Sequence, residues 1–133
     1  MAYAVTQPTV SLIAETTFAK TDLYKFVQMS TANGRVSIVA TTAPVAVVGT
    51  LLSQTYSTST GANETVTVGL LQGIGKVYAA ASTLHVGSPI SCSSKGFATT
   101  LSTNCTRQGM IVEGTSGTTG RIVSVLFQRP MEL

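Results

Sequence analysis

The side chains that could exchange protons or bind a metal are few and widely spaced in this sequence. His85 is the only histidine, so a histidine-rich metal site is excluded and a Ser–His–Asp triad would have to use this residue. No serine lies in the glycine pattern of a nucleophile elbow. The carboxylates form no recognisable acid–base pair: Glu15, Asp22, Glu64, Glu113 and Glu132. The pattern predicts a protein that is not an enzyme, with no catalytic residue, cofactor-binding residue or metal ligand.

Two further patterns share residue types with known sites but do not match them. The stretch Gly73-Ile74-Gly75-Lys76 has the glycines and the lysine of a phosphate-binding loop, but it is shorter than that motif and no helix follows it. We interpret it as a glycine-kinked strand end. Cys92 and Cys105 have a spacing that fits no zinc or redox motif. We interpret them as reduced thiols that pack as small apolar side chains, with a disulfide between hairpin strands as the alternative.

Charged residues are sparse. Only 10% of the chain is Asp, Glu, Lys or Arg, against about 25% in an ordinary soluble domain. The net charge is +3, and the basic residues are scattered without any adjacent pair, whereas nucleic-acid binding usually needs a basic cluster. No apolar stretch reaches the length of a membrane span, and the first residues lack the organisation of a secretory signal. We therefore expect a protein made in a cytoplasm, with no nucleic-acid, membrane or small-molecule substrate partner.

The elements that position these side chains are predicted to be β-strands. The chain contains 22 Thr and 14 Ser, and segments such as 65–70 alternate apolar with small polar residues, which is the period of a strand. Asn33-Gly34 is a strong hairpin signal. Nine segments carry strand patterns: 23–30, 35–41, 47–54, 64–71, 75–80, 88–92, 97–102, 109–114 and 121–128. The prediction is an all-β, single-domain barrel or sandwich of about seven to nine short strands.

Residues 1–21 differ from the rest, because apolar residues are spread thinly among Thr, Gln and Pro without a hairpin or helix signal. The segment is either a frayed terminus with a first edge strand, or an arm that orders against a partner. We interpret 1–21 as an extended N-terminal arm and 22–133 as the β domain, so that removing 2–14 would leave a folded core. The candidate anchors of the arm are its apolar residues: Tyr3, Val5, Pro8, Val10, Leu12, Ile13 and Phe18.

A pattern of glycines, turns and valines recurs between residues 33 and 128, at 33–36, 44–52, 63–68, Gly73, 84–90, Gly96, 109–112 and Gly120 to Phe127. In this pattern the sequence resembles the small β-barrel head decoration, or cement, proteins of tailed bacteriophages. Two features depart from those proteins, namely the cysteines and the scarcity of acidic residues.

The resemblance implies a virion structural protein that binds the outside of a phage head and stabilises the shell against internal pressure. It implies the major capsid protein as partner, a homotrimer, and a location on the capsid exterior after assembly in the host cytoplasm. The N-terminal arm would be the capsid contact. Two alternatives stay open, a glycan- or receptor-binding β module on a virion surface and a self-assembling coat subunit.

Overall fold

A computed structural model shows ten β-strands, arranged in two units, among the residues that it describes. It describes residues 7–30, 34–40, 47–56, 64–80, 84–101, 107–115 and 120–127. The N-terminal unit is an antiparallel sheet in the order β1-β5-β4-β2-β3, formed by β1 (Thr9–Ile13), β2 (Phe26–Met29), β3 (Val36–Ile38), β4 (Val47–Leu51) and β5 (Thr65–Leu70). The C-terminal unit is a closed barrel in the order β10-β6-β8-β7-β9, formed by β6 (Ile74–Ala79), β7 (Pro89–Cys92), β8 (Ala98–Thr100), β9 (Arg107–Glu113) and β10 (Arg121–Phe127).

The all-β prediction is confirmed, and the nine predicted segments correspond to β2 through β10. Gly34 has a φ of 68° just before β3, and β2 pairs antiparallel with β3, as expected of a hairpin. The remaining strand, β1, lies in the segment that the sequence analysis interpreted as an arm. In the part of the chain that the structure describes, the one helical element is the 3-10 turn Lys20–Asp22, and no helix could cross a membrane.

The N-terminal sheet curls until its two edges meet. Ala14, directly after β1, forms a parallel bridge with Val36 of β3, and the Glu15 N–H donates to the Val36 carbonyl over 2.9 Å. The inner face of the curled sheet is apolar because alternate residues of each strand point inward. Together with Ala14 and Phe18 these residues form one buried cluster, made of Val27, Val36, Leu51, Val66 and Val68.

The barrel has its own apolar interior, which also receives side chains from the sheet. Phe26, Val39 and Val47 belong to the same buried cluster as the barrel residues Val77, Ala79, Ile90, Cys92, Ala98, Ile111, Val123, Val125 and Phe127. The weakest pairing of the barrel is between β6 and β8, which are parallel and share only the register pair Ala79 and Ala98. Because sheet residues complete the barrel core, the two units form one packed body.

Residues 24–26 connect the two units through backbone hydrogen bonds. The Tyr24 N–H donates to the Leu51 carbonyl over 2.7 Å, and the Tyr24 carbonyl accepts from the Tyr78 N–H over 2.9 Å. The Phe26 N–H donates to the Gly96 carbonyl over 2.6 Å. Tyr24 has a φ of 67°, the one positive value outside glycine in the described residues. This left-handed residue turns the chain so that its N–H faces the sheet and its carbonyl faces the barrel.

Gly96 and Gly34 provide a matched test of the contact between the units. Both have positive φ, but a Cβ at Gly96 would lie 2.5 Å from Ile38 Cγ2 and 3.1 Å from the Phe26 carbonyl oxygen, whereas a Cβ at Gly34 would meet nothing within 4 Å. Gly34→Ala should lower the free energy of unfolding by about 1–2 kcal/mol through backbone strain alone. Gly96→Ala should cost about 1–3 kcal/mol more because it overpacks the contact. Urea unfolding measures both losses, and equal losses would contradict the tight contact.

Candidate functional site at the β1 edge

The groups that could do acid–base chemistry take part in local backbone and surface contacts. His85 is exposed in a turn where its backbone N–H donates to Ser88 Oγ over 3.2 Å. Asp22 Oδ1 pairs with Lys25 Nζ at 3.3 Å, and a carboxylate oxygen of Glu64 accepts from the backbone N–H of Tyr56 over 2.7 Å. Across the described ranges, no three His, Cys, Asp or Glu side chains lie together as a possible metal site. Each contact therefore fixes a turn or a loop end.

The structure describes one of the two cysteines. Cys92 is fully buried in the barrel interior, in the environment expected of a small apolar side chain. Cys105 lies outside the described residues, so the state of the two thiols stays a prediction.

Gln7 occupies a notch between β5 and β6 that two glycines leave open. Its Nε2 donates to the Leu70 carbonyl over 2.8 Å and lies 3.4 Å from Thr50 Oγ1. A Cβ at Gly69 would lie 2.5 Å from Gln7 Cδ, and a Cβ at Gly75 would lie 2.6 Å from Gln7 Oε1. These glycines are thus required by the close approach of an amide side chain, and Gly75 belongs to a strand rather than to a phosphate-binding loop. Sequence reasoning did not find Gln7.

The described part of the N-terminal segment differs from the predicted free arm, because it is built into the sheet. β1 pairs with β5 along its whole length, with Val10 opposite Val68 and Leu12 opposite Val66. Val10 and Leu12 are half-buried against the N-terminal cluster. Phe18 is 1% exposed, within that cluster. Residues 9–13 therefore form a first strand of the sheet, as in the alternative interpretation of this segment.

Residues 9–14 join the sheet because apolar and polar residues alternate along them. This alternation places Val10, Leu12 and Ala14 on one side of an extended chain. That side continues the inner face of β5, where Val10 lies beside Val68 and Leu12 beside Val66. Pro8 and Ile13 are exposed, the latter by 47%. Tyr3 and Val5 lie outside the described residues. A capsid contact by the seven anchor residues stays a prediction, and of those described, Phe18 is buried too deeply to make one.

One edge of β1 pairs with β5, and the other turns toward β3, where the curled sheet closes. The Leu70 N–H donates to the Pro8 carbonyl and the Ala14 N–H donates to the Glu64 carbonyl, each over 2.8 Å. Even-numbered residues of this stretch therefore direct their backbone groups toward β5, and odd-numbered residues direct theirs away from it. At its C-terminal end the outer edge meets β3, because Ala14 bridges Val36 and the Glu15 N–H donates to the Val36 carbonyl over 2.9 Å. The residues of β1 on this outer edge are Thr9, Ser11 and Ile13. Their side chains are exposed and uncharged.

Comparison with known proteins supports the fold. No family model matches the sequence, and no curated protein matches it. A solved structure does match, the crystal structure of the head fiber gp8.5 N base in bacteriophage phi29. It is 17% identical, with a TM-score of 0.62, and the match covers 96% of this chain and 99% of that chain. The fold is similar to that of a bacteriophage head protein. The resemblance to phage head proteins read from the sequence is confirmed at the level of the fold.

Deleting residues 2–14 tests whether β1 is part of the folded core. The deletion removes β1 and uncovers Val66 and Val68, whose burial contributes on the order of 1.5 kcal/mol or more each. We expect the truncated chain to lose several kcal/mol of stability or to aggregate through the exposed edge of β5. Deleting only 2–6 is the control, since it keeps every contact described above. Thermal unfolding followed by circular dichroism compares the two, and an equally stable 2–14 deletion would support the free arm instead.

A double-mutant cycle tests whether the Gln7 side chain occupies the space beside Gly69. Gly69→Ala should displace the Gln7 amide and remove its hydrogen bond to Leu70, a loss of about 1 kcal/mol. In a Gln7→Ala background the same substitution should cost almost nothing, because the space is already empty. Thr67→Ala, on the same face of β5, should cost the same in both backgrounds. Additive losses for the Gln7 and Gly69 substitutions in chemical denaturation would show that they do not interact.

Proposed function

We propose that this chain is a structural protein of a bacteriophage head, a decoration or cement protein that binds the major capsid protein on the outside of the shell. The observation that carries this proposal is the likeness of the whole fold to the base of a phage head fiber, over nearly the full length of both chains. The glycine and turn pattern of residues 33–128 supports the same class of protein.

The surface chemistry agrees with a role in contacts between proteins. The outward face of β1 and β5 carries Thr9, Ser11, Ile13, Thr65 and Thr67, which bear no charge. Interface cores are depleted in charged residues. The low charge of the chain, which is unusual for a protein that stands alone in solution, is therefore expected of a subunit whose faces are covered in an assembly.

The proposed mechanism is mechanical and needs no catalytic group. A protein that binds the assembled shell but not its separate subunits stabilises the shell by mass action. We propose a homotrimer, as the resemblance implies, because three equivalent contacts make the second and third binding events intramolecular and raise the avidity. Such binding opposes the outward force on the shell by lowering the free energy of the intact state relative to its separated subunits.

Sedimentation with phage heads tests the function. Purified protein is mixed with heads that lack it, from the phage that encodes the chain, and the heads are recovered on a gradient. We expect the protein to sediment with the heads up to a saturating ratio and to raise the temperature at which they break open. Dissociated capsid subunits are the control and should not bind.

Three other results of the sedimentation and binding experiments would contradict the proposal or favour an alternative function. Protein that stays at the top of the gradient would contradict the proposal. Binding to host cells without binding to heads would favour the glycan- or receptor-binding module. Large particles formed by the protein alone would favour a self-assembling coat subunit.

A further inference from the structure

An open pocket lies where the chain leaves β4, close to the end of the 3-10 turn. Its volume is about 530 Å³, within the range of about 300–1,000 Å³ that is usual for small-ligand sites. The proposed function assigns no role to this pocket. Its wall consists of one residue after the turn and five consecutive residues after β4, namely Leu23, Leu52, Ser53, Gln54, Thr55 and Tyr56.

Hydrogen bonds hold the backbone of this wall in place. Thr55 is buried, its N–H donates to the Phe18 carbonyl over 3.1 Å, and its Oγ1 accepts from the Phe18 N–H over 3.1 Å. The Tyr56 N–H donates to a carboxylate oxygen of Glu64 over 2.7 Å. Because the wall is already ordered, a ligand that binds there loses little affinity to the ordering of the backbone.

The side chains of the wall are neutral and combine an apolar surface with hydrogen-bonding groups. Tyr56 is 98% exposed, so its ring is available to a ligand although its backbone is fixed. Gln54 is exposed, and its amide can both donate and accept. Ser53 Oγ accepts from a backbone N–H over 2.8 Å, which leaves the hydroxyl hydrogen to donate. The half-buried side chains of Leu23 and Leu52 supply the apolar part.

We propose that this pocket binds a neutral saccharide, with the face of a sugar ring stacked on Tyr56. A sugar ring presents C–H groups on its faces and hydroxyl groups around its rim. It therefore suits an aromatic face that has amide and hydroxyl partners beside it, as Gln54 and Ser53 are here.

The same wall is less suited to two other classes of ligand. An anion would find no basic side chain among the six residues of the wall. A proline-rich peptide docks in a groove lined by aromatic side chains, whereas Tyr56 is the one aromatic residue among these six. The neutral and amphipathic character of the wall thus favours a saccharide.

This site goes beyond the proposed function and does not depend on it. If the chain also decorates a phage head, the site is repeated on every bound copy. Many weak contacts with one polysaccharide surface would then act together and raise the avidity. The protein would in that case attach the virion to a saccharide-coated surface in addition to stabilising the shell.

Saturation-transfer difference NMR with the full-length protein tests the site. The probes are four neutral trisaccharides at millimolar concentration, namely maltotriose, mannotriose, galactotriose and chitotriose. We expect at least one of them to receive saturation, most strongly at the C–H protons of one ring face. Tyr56→Ala should weaken its binding about tenfold, through the loss of one aromatic contact. Tyr56→Phe should keep the binding because it keeps the ring, and Gln54→Ala should weaken it.

Val86→Ala is the matched control, since Val86 is also an exposed apolar residue, by 58%, but lies in the turn before β7. It should leave the binding unchanged, and circular dichroism checks that every variant folds. A lack of saturation transfer to all four trisaccharides would overturn the proposal, as would equal binding by the wild type and Tyr56→Ala. Binding of decaproline in place of a saccharide would also overturn it and indicate a peptide site. Failure of the protein to bind heads would leave these results unaffected, so the two proposals can fail separately.

Discussion

The arrangement of the molecule depends on the backbone hydrogen bonds of Tyr24 and Phe26. The Tyr24 N–H is held by β4 of the sheet, and its carbonyl is held by β6 of the barrel. Both bonds are possible because the residue has a left-handed backbone, a conformation that costs about 1–2 kcal/mol outside glycine. The next residues lead directly into β2, where the Phe26 side chain joins the barrel core. One strained residue thus sets the relation between two β units that have separate hydrogen-bond ladders.

The glycines show how closely these units approach. Gly69 and Gly75 leave room for an amide, and Gly96 leaves room for Ile38 and a carbonyl. Gly49 faces the backbone of Gly69 so closely that no side chain fits between them. In this protein several glycines that interrupt the strand pattern are packing positions, where a missing Cβ lets another part of the chain come near. This accounts for part of the unusual β5 surface, on which glycine follows two threonines.

Much of the fold follows from the sequence because strand alternation and turn residues are local signals. β2 through β10 lie in short segments of strand-forming residues, some of which alternate apolar with polar side chains, as in β5, and Gly34 marks a hairpin. β1 was predicted only as an alternative to an arm, because no turn connects it to a neighbour in sequence: its partner β5 follows four strands later. Gln7 and Tyr24 could not be recognised, since their roles depend on contacts across the fold and neither residue type signals them. The closure of the sheet through Ala14 and Val36 likewise becomes visible only when the strand order is known.

The pairing of β1 with β5 has a consequence for the order of events during translation. Thr9 pairs with Gly69 and Ile13 with Thr65, which lie 60 and 52 residues further along the chain. At a synthesis rate of about 5–20 residues per second, β1 leaves the ribosome several seconds before its partner. Contacts of such high sequence separation also slow folding after release. β1 therefore appears before its partner and is among the last elements to find its place, and for that interval the nascent protein carries an uncharged strand with both edges unpaired.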